Sequence, residues 1–166
     1  MISMVTQSDK RSARWWLVGL LLTIGLPGHA ADGYPYPGII STQTDHDFDV
    51  LWQRLDAAIK ANEMLVVSRA SASRAAKTRG IDIPGNAVFG VFRNDFAVRM
   101  LHASVPAGIE APLRFYLTEQ ADGTTTLAYR KPSAVFAPYG SAELNAMATE
   151  LDQIFSDIAT RATGTD

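Results

Sequence analysis

The stretch Asn86-Ala-Val-Phe-Gly-Val-Phe92 is apolar at nearly every position, which is typical of a central strand buried on both faces. A second stretch, Pro112-Leu-Arg-Phe-Tyr-Leu-Thr-Glu119, places an apolar residue at every other position, the pattern of a strand with one buried face. The stretch Thr124-Thr-Thr-Leu-Ala-Tyr-Arg130 alternates in the same way. Together the three stretches predict the middle of an antiparallel sheet.

The two alternating stretches form a hairpin whose register follows from their apolar faces. Directly opposed residues share a face of the sheet, so Leu117 must lie opposite Leu127 for both to be buried. This register pairs Gln120 with Thr124 and leaves a three-residue loop that ends in Gly123, which can take the left-handed conformation of a bulged turn. A two-residue Asp-Gly turn would instead place Leu127 opposite a polar residue.

Helical periodicity marks the elements that cover the sheet. Asp47 caps a helix whose apolar residues recur every three or four positions and which ends near Asn62. The clearest helix follows Ser141, with Glu143 in its first turn and one apolar stripe. Shorter elements are expected as strands at 39–43 and 64–68 and as helices capped by Ser71 and by Asn94 or Asp95, with a connection to the hairpin marked by 106–108 and a loop at 132–140. The predicted fold class is α+β, an antiparallel sheet of about four to five strands with helices packed mainly on one face and an amphipathic C-terminal helix.

The first 30 residues have the features of a secretory signal peptide. Basic residues at positions 10, 11 and 14 precede an apolar run over 15–26, and small residues at 28 and 30 mark a cleavage site after Ala30. The run is well short of the roughly 20 residues that a membrane span needs, so an uncleaved anchor is the weaker alternative. We therefore expect residues 31–166 to form a single periplasmic domain that begins at Ala31 and has no membrane attachment.

Composition excludes several classes of function. Without the signal, the chain keeps 12 Lys and Arg residues against 16 Asp and Glu, and the net charge of −4 disfavours a nucleic-acid partner. The sequence contains no Cys, which excludes c-type haem attachment, thiolate metal sites and cysteine nucleophiles. Glycine-rich phosphate loops are also absent from the sequence, and we expect no cofactor.

Metal-binding and catalytic arrangements are weaker than their structural alternatives. The run Asp45-His46-Asp47 could ligate a metal, but no second His lies at ligand spacing, and a polar loop before a helix cap explains the same residues. His102 fits the end of a helix. A Ser-His-Asp hydrolase would lack the Gly-x-Ser-x-Gly turn that exposes its nucleophile. We expect a non-enzymatic binding or accessory module, and the alternative is a small enzyme of unknown reaction.

Several short motifs are shared with one known family. They are Phe48-Asp49 and Arg54-Leu55 in the first helix, Asn94 after the central strand, Pro112-Leu113-Arg114, and Asp122-Gly123, Tyr129 and Pro132-Ser133 in and after the hairpin. On this combination, which covers residues 39–139, the chain resembles the bacterial domain of unknown function 302. The resemblance implies a small α+β domain that tends to dimerise and has no agreed activity or catalytic residues. Asp95 stands where many relatives carry Pro, a departure that affects helix capping more than function.

The two aromatic residues of the central strand also bear on association. Phe89 and Phe92 lie on opposite faces of this strand, and a single layer of helices can cover only one face. The other face needs a loop, a ligand or a second subunit. We therefore expect a homodimer.

A candidate site lies on the face of the hairpin that is turned away from Phe115. In the predicted register Arg114 and Arg130 lie opposite each other, with Tyr116 on the same face. Two like charges facing each other across strands cost roughly a few tenths of a kcal/mol, and a carboxylate or bound anion between them removes that cost. The carboxylate of Glu110 or of a second subunit is one explanation. The other is that Arg114, Tyr116 and Arg130 bind the acidic group of a small periplasmic molecule or of a partner protein.

Overall fold

Five strands form one antiparallel sheet in the computed structural model, which describes Met1 and residues 33–164. In chain order the strands are β1 Ile39–Thr44, β2 Leu65–Ala70, β3 Asn86–Phe92, β4 Leu113–Glu119 and β5 Thr125–Arg130, and their spatial order is β1-β5-β4-β3-β2. The helices are α1 Phe48–Ala61, α2 Ala72–Lys77, α3 Asn94–Ala103, α4 Pro132–Phe136 and α5 Ala142–Thr163, and 3-10 turns span Val105–Glu110 and Ala137–Tyr139. The predicted α+β class is confirmed. The predicted signal peptide lies outside the described residues.

The β4–β5 hairpin has the register that its apolar pattern predicts. Leu117 lies opposite Leu127, and both side chains are buried. The backbone N–H of Gln120 donates to the carbonyl of Thr124 at 2.8 Å, and Gly123 takes a φ of 85°. The three-residue loop is therefore confirmed, and its last position requires the left-handed backbone that glycine adopts without strain.

The helices bury the face of the sheet that carries Phe89, Phe115 and Leu117, all fully inaccessible to solvent. Phe155 of α5 stacks on Phe115 with ring centroids 4.7 Å apart and an interplanar angle of 13°. Side-chain hydrogen bonds cap the N-termini of the two long helices. The Asp47 carboxylate accepts from the N–H of Val50, and the Ser141 hydroxyl accepts from the N–H of Leu144. Within the described ranges, no helix is both long and apolar enough to cross a bilayer.

The opposite side of the sheet, here called the open face, carries Val88, Arg114, Tyr116, Ala128 and Arg130. Arg114 and Tyr116 are exposed, whereas Val88 and Arg130 are half-buried. Strand alternation places these residues on the face opposite the core, since each of them is next to a core residue on its own strand.

Two local expectations are wrong. Neither Asn94 nor Asp95 caps α3, because Arg93 occupies the cap without a side-chain hydrogen bond, and the Asp95 carboxylate instead accepts from the Arg93 Nε at 2.8 Å. Residues 132–140 do not form a loop. They form α4 and a 3-10 turn, because Pro132 supplies the fixed φ that suits a first helical position.

The Phe155–Phe115 stack yields a stability prediction. Replacing Phe155 with Ala should lower the free energy of unfolding by about 3–5 kcal/mol, because it removes a fully buried ring and leaves a cavity. Chemical denaturation measures this change. Thr160→Ala, on the exposed side of the same helix, is the matched control and should stay within about 0.5 kcal/mol of wild type. A small effect at Phe155 would contradict the packing described here.

Candidate functional site

A pocket of about 310 Å³ lies on the open face, and it contains all three residues that the sequence singled out, Arg114, Tyr116 and Arg130. Four further polar or aromatic side chains line it: Tyr34, Tyr36, Glu110 and Tyr129. Its volume is near the lower end of the range for pockets that enclose small molecules.

The sheet register determines which pocket side chains lie opposite each other on neighbouring strands. Arg114 lies opposite Gly90 of β3, and Tyr116 lies between Val88 and Ala128. Phe115 pairs with Tyr129, so one step further along the ladder Arg114 faces Arg130 across the two strands. Ala128, directly opposite Tyr116, lines the pocket with a short side chain.

Backbone carbonyls hold the Arg130 guanidinium. Its Nε donates to the carbonyl of Pro37 at 3.2 Å, and its Nη2 donates to the carbonyl of Ala134 at 2.9 Å. The ring centroid of Tyr36 lies 5.8 Å from the guanidinium carbon, within the range of a cation–π contact. Arg130 is thus fixed in orientation while its positive charge is not neutralised by these partners.

Arg114 differs from Arg130 in having no such partners. In the part of the chain that the structure describes, its guanidinium has no hydrogen bond and no carboxylate within 4.0 Å. The side chain is exposed at the mouth of the pocket. A guanidinium presents a planar fork of donors, which suits a carboxylate or phosphate.

Glu110 is the acidic side chain of the pocket, and it does not pair with either arginine. Its Oε1 accepts a hydrogen bond from the Tyr139 hydroxyl at 2.9 Å. This hydrogen bond to the carboxylate raises the pKa of the Tyr139 phenol above its ordinary value, because it favours the neutral donor. Within residues 33–164, the two opposed arginines therefore have no carboxylate bridge.

The two tyrosines from the segment before β1 were missed by reasoning from sequence. Tyr34 is half-buried, and burial, with a smaller contribution from the neighbouring Tyr116 phenol, raises its pKa. Tyr36 lies against Arg130. The segment has no periodicity to place it, and the only signal was an aromatic pair in the run Tyr34-Pro-Tyr-Pro.

The other candidate residues have local structural contacts. Asp47 caps α1, and the His46 Nε2 lies 3.2 Å from the carbonyl of Gly164. Ser133 donates its hydroxyl to Asp152 and its N–H to the same carboxylate, which ties α4 to α5. Over the described residues, no three His, Asp or Glu side chains come close enough to hold a metal ion.

Comparison with known proteins identifies the fold. The family model for DUF302, a domain of unknown function, matches residues 40–162. The chain belongs to the DUF302 family. A DUF302 crystal structure, of an uncharacterized conserved protein from Bacillus stearothermophilus, is similar with a TM-score of 0.68 over 76% of this chain and 98% of that chain, at 16% sequence identity. This likeness concerns the fold alone. No protein with a curated function matches the chain.

The Tyr139–Glu110 contact of this DUF302 domain can be tested by titration. Replacing Glu110 with Gln removes the charge that favours the neutral phenol, so the pKa of Tyr139 should fall toward its ordinary value of about 10. The ultraviolet absorbance of tyrosinate, followed against pH, measures the change, and Tyr139→Phe assigns the signal. A titration curve unchanged by Glu110→Gln would contradict the contact and point instead to a Glu110–Arg114 pair.

Proposed function

We propose that this DUF302 protein is a non-enzymatic periplasmic binding module, and that its pocket on the open face holds a small molecule by an acidic group. One observation carries the proposal: the Arg114 guanidinium lines a pocket without a partner in the described part of the chain. The periplasmic location rests on the signal-like features of residues 1–30.

The chemistry of the pocket favours an anion. Arg114 offers a fork of free donors, and Arg130 adds a second positive charge whose orientation the carbonyls of Pro37 and Ala134 fix in advance. Tyr116 supplies a hydroxyl next to them. An acidic group at this position would relieve the repulsion between the two opposed arginines, so binding removes a cost that the apo protein carries. Donors that are already positioned lose little further entropy on binding.

Substitution of Arg114 with Met tests the anion site. In wild type, a panel of small carboxylates, sulfate and phosphate should contain at least one anion that raises the melting temperature, because a ligand that binds only the folded state stabilises it. Arg114→Met should lose that rise while the apo protein melts at nearly the wild-type temperature, since the side chain is exposed. Differential scanning fluorimetry measures both values.

A matched control separates site binding from the general effect of charge. Arg79 is also exposed and does not line the pocket, so Arg79→Met removes the same charge elsewhere and should keep the anion response. If wild type shows no stabilisation by any anion of the panel, or if both variants lose it equally, the anion site is wrong.

We also propose that the protein is a homodimer. At the edge of the sheet, Leu65 and Val67 of β2 are 58% and 51% exposed, and Leu65 lies directly opposite the half-buried Phe92. An exposed edge strand with apolar side chains favours pairing with a second copy.

Light scattering on the mature chain at micromolar concentration tests the dimer. Wild type should have the mass of two chains, and Leu65→Lys should shift it toward one chain, because the variant puts a charge into the apolar surface. Val98→Lys alters an exposed apolar residue of α3 and should leave the dimer intact. A monomeric wild type would contradict the proposal. A monomeric Arg114→Met variant would indicate that an acidic group of the second subunit occupies the pocket.

A further inference from the structure

We propose that the ligand of this pocket is a zwitterion, an amino acid or a molecule with the same two groups, whose carboxylate binds Arg114 and whose ammonium binds Glu110. This inference rests on the anion site proposed above and specifies its ligand class. It starts from the presence of an unpaired acid in a pocket that carries two arginines.

The pocket carries side chains of both charges. Glu110 and Arg114 line the same cavity, yet they do not form an ion pair, and in the described chain Glu110 is hydrogen-bonded to the neutral hydroxyl of Tyr139. A ligand with only negative charge would gain from Arg114 but be repelled by Glu110. A zwitterion complements both charges at once, which is the arrangement that gives electrostatic specificity.

The Glu110 carboxylate can accept a second hydrogen bond. Tyr139 occupies its Oε1, and Oε2 has no hydrogen bond within residues 33–164. The 3-10 turn Val105–Glu110 ends at this residue, directly before the connection to β4, so the backbone holds the carboxylate at the pocket. A carboxylate with one oxygen anchored and the other free can accept from an ammonium without reorienting.

The remaining walls suit a small apolar or aromatic side chain. Val88, Ile39 and Ala128 contribute apolar surface, and Tyr34 and Tyr116 contribute aromatic rings. A volume of about 310 Å³ accommodates a molecule of amino-acid size. Tyrosine rings also attract a cationic group, which favours an ammonium in this pocket over a second anion.

The test compares matched ligands that differ by one charged group. Phenylalanine carries both groups, 3-phenylpropionate lacks the ammonium and phenethylamine lacks the carboxylate, and leucine with 4-methylpentanoate forms a second pair. In wild type, isothermal titration calorimetry should show the amino acid of at least one pair binding about tenfold more tightly than its deamino acid.

Glu110→Gln is the diagnostic variant, because its amide oxygen can still accept from Tyr139 while its charge is lost. It should remove the tenfold preference, because the amino acid loses its ammonium partner while the deamino acid, no longer repelled by Glu110, binds at least as tightly as in wild type. Arg114→Met should weaken both acids. Equal binding of the amino acid and its deamino acid in wild type would overturn the zwitterion while leaving the anion site intact. If neither acid of either pair binds, the zwitterion is wrong, and the wider anion panel decides the anion site separately.

Discussion

The register of the β4–β5 hairpin is the constraint on which both the core and the pocket depend. A slip of one residue would move Phe115 and Leu117 to the open face and carry Arg114 and Tyr116 into the core. Exposing two large apolar side chains would cost about 3–6 kcal/mol, and burying an unpaired guanidinium would cost several more. The turn that ends at Gly123, with its φ of 85°, therefore fixes the buried face and the pocket by the same geometry.

Neutral partners keep the opposite charges of the pocket apart. Backbone carbonyls of Pro37 and Ala134 hold Arg130, and the Tyr139 hydroxyl holds Glu110. Arg130 and Glu110 each keep a hydrogen bond, but neither neutralises the other, and Arg114 has no partner among the described residues. This differs from the α3–α5 contact, where Arg99 and Glu150 neutralise each other through two bonds of 2.6 and 2.7 Å. The Arg99–Glu150 pair links α3 to α5 at the surface, whereas the pocket charges are not used up by each other.

Periodicity explains what could be predicted from the sequence. Alternation of apolar residues was enough to place Arg114, Tyr116 and Arg130 on one face, because strand geometry alone decides which side chains share it. The contributions of Tyr34, Tyr36 and Tyr139 could not be predicted, since they come from segments whose path is set by tertiary contacts. The predicted loop at α4 is wrong for a related reason. Pro132 and Gly140 are residue types common in turns, yet Pro132 begins a helix and Gly140 ends a 3-10 turn at a φ of 66°.

The sheet order separates the two surfaces of the open face from each other. The apolar corner formed by Leu65, Val67 and Phe92 lies on β2 and β3, whereas the two pocket arginines lie on β4 and β5, two and three strand positions from the β2 edge. At about 4.8 Å between neighbouring strands, the strands of these arginines are about 10 and 14 Å from β2. A second copy that paired only along the β2 edge would therefore cover the apolar corner, while both arginines would lie on strands outside the paired edge. The proposed dimer contact and the proposed anion site thus use different strands, so the Leu65 and Arg114 substitutions test them separately.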